Sequence, residues 1–565
     1  KMTDILIFFI AFFFCLISVI SYGKIFERLC FNNILRNSDK LIYTGFFGLM
    51  FLTLISLITS YFVPHNFYHN IILHGFGFFY FFTNVLKKDK KYLKYIFLIS
   101  LMVISALIIS KTNDDFSYYH LPYTKYLTEY KVIFGMGHLN HGYNLLSSLF
   151  YLNSIFYLPF IDLYSFHFSL IFILIFFNYF LIKEILFNKN ITTLKYLYIF
   201  SFAYFNLSFN RLSEFGTDKV GQLLIVLLII KLFDLICFES KSKKLENILF
   251  LIPLLGFCIT LKTYFLPYVL LALTILMIDN KIYKNFKFII FSKSFLSFLM
   301  IIILMFSHHF ISTGCIISPL PFTCFGENVV WGKDIEVMKG LAHWLEQWAK
   351  SGAGPGFRIE NPLLYVQNFN WVGNWTKMYF VGKFSDQLGI LFTSYIVIIL
   401  LFKKISFSKS KLAMSNKKIL YFYLVLIIIF TIWFTNHPTL RYGGYSIYFL
   451  IITIPISLFV AKFPEKKFFN RNFNFFIIFI VVFFNLKNID RINKEFDRTD
   501  VYKFSDFPYY SIKKMEYIET KYKEGLTIYS ADGHCWFTNS PCGGIPEGGY
   551  KIHKKKGYYF IQDEK

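Results

Sequence analysis

The chain has 565 residues, of which 56% are hydrophobic and 75 are Phe, and its formal net charge is +24. Soluble domains are far less apolar, and the apolar runs are long and unbroken rather than alternating, which excludes a soluble fold and a β-barrel and leaves membrane helices. The positive charge does not point to nucleic acid: much of it sits in short loops between apolar segments, where it sets topology and attracts anionic headgroups.

About 14 apolar segments are expected to be transmembrane helices, at 4–23, 41–63, 71–86, 95–111, 166–186, 196–209, 223–238, 248–261, 265–278, 288–306, 388–402, 420–435, 447–463 and 473–489. The fold class is an all-α polytopic membrane protein. Several segments are shorter than the ~20 residues of a straight crossing, so tilted or half-length helices are expected. The first segment has no basic flank or small-residue cleavage site before it and reads as a retained helix. Residues 1–94 form a three-helix module and 95–489 the membrane core with large outer loops at 112–165 and 307–387. Residues 490–565 form a small extracytoplasmic C-terminal domain.

Every second loop is basic. Lys24, Arg28, Arg36 and Lys40 follow the first segment; Lys87, Lys88, Lys90, Lys91 and Lys94 the third; Lys183, Lys189 and Lys195 the fifth; Lys241, Lys243 and Lys244 the seventh. Lys281, Lys284 and Lys287 follow the ninth, Lys403 to Lys418 the eleventh, and Lys466, Lys467 and Arg471 the thirteenth. Cationic loops stay in the cytoplasm, so both termini are expected outside, in the inner membrane of a bacterium.

The outer loops hold the candidate chemistry. The first begins Lys111-Thr-Asn-Asp114-Asp115-Phe-Ser-Tyr-Tyr119-His120-Leu-Pro122. A carboxylate leaving the membrane is expected to gain proton affinity by desolvation, which suits a general base. The pair also suits a divalent cation, Mg or Mn, bridging a phosphate. The plainer alternative is a solvated loop start or a helix N-cap. Tyr118, Pro122, Tyr126 and Tyr130 recur at helical spacing, as in an amphipathic helix lying at headgroup level. Glu214 and Asp218 lie in the next outer loop, beside Arg211 and Lys219. Lys262, in Thr260-Leu-Lys262-Thr263, stands at a turn between two short segments, where the alternative is snorkelling. The loop 307–387 carries His308, His309, Trp331, Trp344, Trp348, Trp371 and Trp375 for stacking on sugar or for an ordinary buried stripe. Adjacent His residues point apart on a helix, so no metal site is expected. The Gly-rich turn Ser351-Gly-Ala-Gly354-Pro-Gly356 lacks the context of a phosphate loop. Arg441 lies in His437-Pro438-Thr-Leu-Arg441-Tyr442, as a site cation or an ordinary loop charge. Of eight Cys, Cys315 with Cys324 and Cys535 with Cys542 form two close outer pairs suited to disulfides.

The Asp-Asp-Phe-Ser-Tyr-Tyr-His-Leu-Pro segment resembles the first outer loop of GT-C superfamily membrane glycosyltransferases, which take sugars from polyprenyl-phosphate carriers. The Thr-Leu-Lys-Thr turn and the Pro-Thr-Leu-Arg-Tyr loop are similar to motifs of that superfamily. The resemblance implies a catalytic base at Asp114 or Asp115, and substrate contacts from His120, Glu214, Asp218, Lys262 and Arg441. The expected partners are a polyprenyl-phosphate sugar donor and membrane lipids, with an envelope acceptor outside the cell and no nucleic acid. The acidic loop follows three additional helices here, a departure from the superfamily's pattern. A transporter or flippase, or an O-antigen-type polymerase or ligase, would also be many-pass; a transporter should carry charge mid-membrane, and the segments hold few interior charges, with Lys231 and Asp234 near a cytoplasmic end. On the transferase reading Asp114 or Asp115, Lys262 and Arg441 should meet at one cavity.

Overall fold

In a computed structural model the chain is mostly helical. The residues described are 2–31, 42–87, 89–187, 192–214, 216–238, 244–277, 282–352, 359, 361–404, 416–467, 469–499, 501–544 and 549–564. Arg36, Lys40, Lys88, Lys189, Lys241, Lys243, Lys281, Lys409, Lys411, Gly354 and Gly356 lie outside them.

Helix α1 (Met2–Phe31) packs on α2 (Thr44–Thr59) and α3 (Phe67–Tyr80). Gly23 and Gly48 let α1 and α2 touch backbone to backbone: a Cβ on either would lie 1.9 Å from a carbonyl oxygen of the other helix. Then come α4 (Lys90–Met102), the short α5 (Leu121–Glu129) and α6 (Ser148–Ser154), and four long helices, α7 (Phe168–Phe187), α8 (Thr192–Ser208), α9 (Thr217–Cys237) and α10 (Lys244–Leu261). Helices α11 (Ile282–Ile290) and α12 (Lys293–Thr313) lead to the largest loop, which holds α13 (Ile335–Lys350), α14 (Pro362–Val366) and α15 (Val372–Trp375). Helices α16 (Ser385–Phe402), α17 (Asn416–Asn436), α18 (Gly444–Val460) and α19 (Phe469–Arg498) complete the bundle.

Among the described residues, six helices are long and apolar enough to cross a membrane: Met2–Phe31, Leu163–Leu186, Thr217–Cys237, Lys293–Thr313, Val372–Phe402 and Lys417–Asn436. Thr44–Thr59, Asn247–Leu261, Thr263–Thr274 and Gly444–Val460 are apolar but shorter. Fourteen full-length spans are therefore not supported. Each expected segment does fall on helix, but many are broken: α4 stops at Met102 and gives way to a 3₁₀ turn, Ile104–Leu107, while Thr263–Met277 winds entirely as 3₁₀ helix.

The all-α expectation fails in the tail. Strand β1 (Tyr517–Lys521) pairs antiparallel with β2 (Thr527–Ala531), which pairs parallel with β3 (Cys542–Gly543); β4 (Tyr550–Lys555) and β5 (Tyr558–Asp563) form a hairpin. The tail is laid against the first large loop. Trp536 N–H donates to the Ser117 carbonyl at 3.0 Å, Tyr143 Oη to the Cys542 carbonyl at 2.8 Å, and Phe134 bridges to Phe560. This cover overturns the expectation of an aromatic helix lying in the headgroups. Tyr119, Tyr123 and Tyr126 are buried against Tyr143, Phe150 and one another, and every residue of α5 from Leu121 to Thr128 is buried.

The alternation of loops has a geometric counterpart. The basic loops meet one another: Lys24 pairs with Asp89 at 3.4 Å, Lys293 Nζ donates to the Leu29 carbonyl at 2.9 Å, and Lys195 pairs with Glu465 at 3.0 Å. Lys403 Nζ donates to the Phe463 carbonyl at 2.7 Å, and Lys231 pairs with Glu184 and Asp234. Of the loops between them, those carrying Asp115, Asp218, Lys262 and Arg441 meet one another.

Candidate functional site

The Asn113 carboxamide accepts the Phe116 N–H at 2.9 Å, so an asparagine starts the helical turn and neither neighbouring carboxylate is used as its cap. A π-helical turn, Phe116–His120, follows and runs into α5; such turns re-aim side chains and recur at functional sites. Asp114 is exposed. Asp115 turns inwards, its side chain 29% exposed, and accepts from Arg441 Nη2. Asp218, in the first turn of α9 and 5% exposed, accepts from Arg441 Nε at 2.6 Å and from Lys262 Nζ. Two carboxylates and two cations thus form one neutral chain, Lys262–Asp218–Arg441–Asp115. The arginine and the first aspartate are brought together from 326 residues apart.

The two cations are held from behind. Gln222 Nε2 donates to the carbonyls of Leu440 and Arg441 at 3.0 and 3.3 Å, and Leu440 N–H donates to Tyr379 Oη at 2.7 Å. The indoles of Trp375 and Trp433 donate to the carbonyls of Pro438 and Thr439 at 2.8 and 2.9 Å. The turn at Lys262 is pinned by Ser147 Oγ on the Leu261 carbonyl at 2.6 Å and by Thr263 Oγ1 on the Ser318 carbonyl at 3.0 Å. The Arg441 guanidinium stands 5.4 Å from the Trp348 ring and 5.5 Å from the Tyr442 ring, and Lys262 Nζ lies 5.4 Å over Tyr442.

His120 is buried against Tyr119 and Phe150, and its Nε2 has no hydrogen-bond partner among the described residues. Burial pushes its pKa down to about 4, with Asp115 and Asp218 acting upwards and Lys262 and Arg441 downwards. It leaves no room at Gly216, where a Cβ would lie 2.4 Å from the imidazole Cε1. The expected rise in proton affinity at the acidic pair is reversed at Asp115. Burial does act upwards, but Arg441 and His120 together outweigh it and hold the carboxyl below the usual range.

Glu214 does not join this cluster. It is 1% exposed, accepts from Arg491 Nη1 and from Ser110 Oγ at 2.9 Å, and pairs with Arg211 at 2.7 Å. Of the tryptophans, Trp348 lines the site. Trp371 and Trp375 are buried in the core, Trp344 is exposed, and Trp331 packs on Phe134 and Phe560. His308 bonds the Leu57 carbonyl at 2.9 Å and His309 accepts from Ser318 N–H at 3.3 Å. Cys315–Cys324 and Cys535–Cys542 are disulfide-bonded.

Spacing gives no hint of Arg491, Gln222 or Gly216. Arg491 reads as one basic residue among many near a helix end, and Gln222 as a polar residue at the start of an apolar run. The signal at Gly216 is a glycine just before a helix start, and its φ of +64° and ψ of −139° is a backbone that glycine alone adopts readily.

The Tyr442 ring is also a wall of a cleft of about 350 Å³ lined by Tyr264, Pro267, His343, Leu345, Ile432 and Trp433. Tyr264 stacks on Tyr442 with ring centres 3.9 Å apart. The donor set does not suit a resident divalent cation: Asp115 and Asp218 already hold Arg441 and Lys262 where the ion would sit, and no group of three metal-ligating side chains occurs among the described residues.

These features define a mostly helical protein, several of whose helices have membrane-spanning length and apolarity, with one neutral ionic cluster gathered where its non-basic loops meet. Residues 5–450 match the family described as "Domain of unknown function (DUF8201)", and the chain belongs to that family. No curated protein and no solved structure matches it. The matched span contains Asp115, Asp218, Lys262 and Arg441 and ends before Arg491.

Proposed function

We propose that the protein is a membrane glycosyltransferase that moves a sugar from a polyprenyl-phosphate donor to an envelope acceptor at the outer face of the cytoplasmic membrane. The observation that carries this reading is Arg441 bridging Asp115 and Asp218, with Lys262 beside it, against an apolar cleft. In this reading the prenyl chain lies in the cleft and its phosphate meets Lys262 and Arg441. The phosphate competes with Asp115 for the guanidinium. As Arg441 turns to the phosphate, Asp115 loses the partner that holds its proton affinity down and becomes a better base, so donor binding arms the site. Asp115 takes the acceptor's proton, the acceptor oxygen bonds the anomeric carbon, and the departing phosphate keeps the electron pair, neutralised by the two cations. The basic loops face the cytoplasm in this arrangement.

The test is sugar transfer in membranes supplied with polyprenyl-phosphate sugars. Asp115→Asn and Arg441→Gln should each lower turnover about 10²–10³-fold, the range for removing one charge-stabilising group. Arg441→Lys should not restore it, since one ammonium cannot span both carboxylates. Full transfer by Asp115→Asn and by Asp114→Asn would remove the proposed base.

A further inference from the structure

A second apolar groove, of about 440 Å³, runs along the outside of the bundle between α8, α16 and α19 and is lined by Leu207, Ile390, Val397, Phe476 and Phe483, with Lys487 at its upper end. Its lower lining comes from mid-helix and its upper end from the end of α8, where the non-basic loops begin. Lys487 is half-buried; its Nζ donates to the Leu207 carbonyl at 3.4 Å and lies 5.4 Å from the Phe483 ring, and it meets no carboxylate among the described residues. Glu214 is held by Arg491 and Arg211. Lys487 also lies within electrostatic reach of Lys219, the residue after Asp218, which in turn lies 5.0 Å from the Phe209 ring and 5.7 Å from the Tyr445 ring. An apolar channel thus ends in a cation at the C-terminal end of α8. The Asp490–Lys494 pair one turn further along α19 adds no net charge.

We propose that this groove holds the acceptor, and that the acceptor is an anionic phospholipid with a hydroxylated head of the phosphatidylglycerol kind. The proposal rests on the transferase reading for the acceptor role. The acyl chains lie against α8, α16 and α19, the head phosphate meets Lys487, and the head hydroxyl reaches past Lys219 and Tyr445 towards Asp115. In the transfer the hydroxyl oxygen forms the bond to the anomeric carbon and its proton passes to the Asp115 carboxylate. The bond from that carbon to the donor phosphate breaks with its electron pair on the polyprenyl phosphate. The donor therefore enters past Tyr264 and Trp433 and the acceptor from the groove between α8, α16 and α19.

The test uses the full chain in phosphatidylcholine nanodiscs carrying a small fraction of diazirine-tailed phosphatidylglycerol or, separately, diazirine-tailed phosphatidylcholine. Peptides from 476–487 should label preferentially with the anionic lipid. Lys487→Gln should weaken that labelling about fivefold, the effect of one basic residue on an anionic headgroup, and Lys487→Arg should keep it. Sugar supplied as polyprenyl-phosphate donor should then appear on phosphatidylglycerol, and less so in the Lys487→Gln protein. Equal labelling by both lipids, or no effect of Lys487→Gln, overturns the site even if Asp115→Asn still abolishes transfer to some other acceptor. Selective labelling with no sugar on phosphatidylglycerol overturns the acceptor role and leaves an anionic-lipid site; the transferase reading falls only if native membranes supplied with the donor show no transfer either.

Discussion

Glu214 and Asp218 sit within one turn of each other at the entry to α9, and the fold gives them opposite surroundings. Glu214 is enclosed: 1% exposed, gripped by Arg491 and Arg211, with Ser110 completing its hydrogen bonds. Asp218 is as deeply placed, but its partner Arg441 is 30% exposed and shared with an Asp115 that is 29% exposed. The first arrangement has no side from which a ligand could compete. The second is neutral, bridged by one movable guanidinium, and open at Asp115, so an incoming anion can exchange for a carboxylate there. Burial of an ion pair adds little to stability, whereas removing one partner from a closed pair leaves a charge stranded. The difference lies in whether the cation has somewhere else to go.

The largest expected effect comes from breaking the closed cluster. Arg491→Ala leaves Glu214 buried with a single, partly exposed cation and should lower stability by about 3–5 kcal/mol, read as thermal unfolding of the detergent-purified protein. Arg211→Ala removes a partner that is 36% exposed and should cost less than about 1 kcal/mol. Equal losses from the two substitutions would mean that Glu214 is not enclosed as described, and the contrast with Asp218 would fall.

A smaller effect sharpens the contrast at the joint between the clusters. Gly216 separates Glu214 from the helix that carries Asp218. Gly216→Ala meets two obstacles: a backbone at φ +64° and ψ −139°, and a methyl group 2.4 Å from the His120 ring. The strain alone is worth about 1–3 kcal/mol, and moving His120 should also depress transfer. Gly216→Asn should fare no better, because Asn tolerates the ordinary left-handed region but not this ψ. An alanine variant of unchanged stability and turnover would show that the joint is not fixed.

Much of the helical frame is legible in the chain because hydropathy reports burial directly, and each apolar segment lies on helix. Span count is not legible, because composition cannot show where a helix stops: nothing apolar or polar distinguishes Met102 from Val103, yet α4 ends there. The tail strands escape for a related reason. Strand β1 is exposed along its whole length, so Tyr517–Lys521 carries no alternation to read. Asp115, Asp218, Lys262 and Arg441 stand out singly as polar residues at the ends of apolar runs, but their meeting depends on packing between distant helices. The stripe of Tyr118, Tyr126 and Tyr130 misleads because aromatic spacing on a helix is the same whether lipid or protein covers it. Here Tyr126 is covered by the loop itself, its Oη accepting the Ile133 N–H at 2.7 Å.

The smallest effect separates the open cluster from the closed one by pH. His120 borders the open cluster alone; its folded pKa is about 4, below the ~6.5 of an unfolded histidine. A group whose folded pKa is depressed binds more protons unfolded, so its contribution is complete above pH ~6.5 and fades as the pH falls towards 4. For one such group the loss is on the order of 1–2 kcal/mol by pH 5. Asp115, also depressed by Arg441 and His120 despite burial, adds a further loss only below the ordinary carboxylate range. Unfolding temperatures from pH 8 to pH 4.5 should therefore fall less steeply for His120→Gln than for the unmodified chain, while Arg211→Ala, which touches the other cluster, keeps the parent slope. Comparing variant with parent cancels the titration of the remaining histidines. Parallel curves for parent and His120→Gln would mean that burial does not hold the imidazole neutral, and the open cluster would then lack the buried neutral side chain described here.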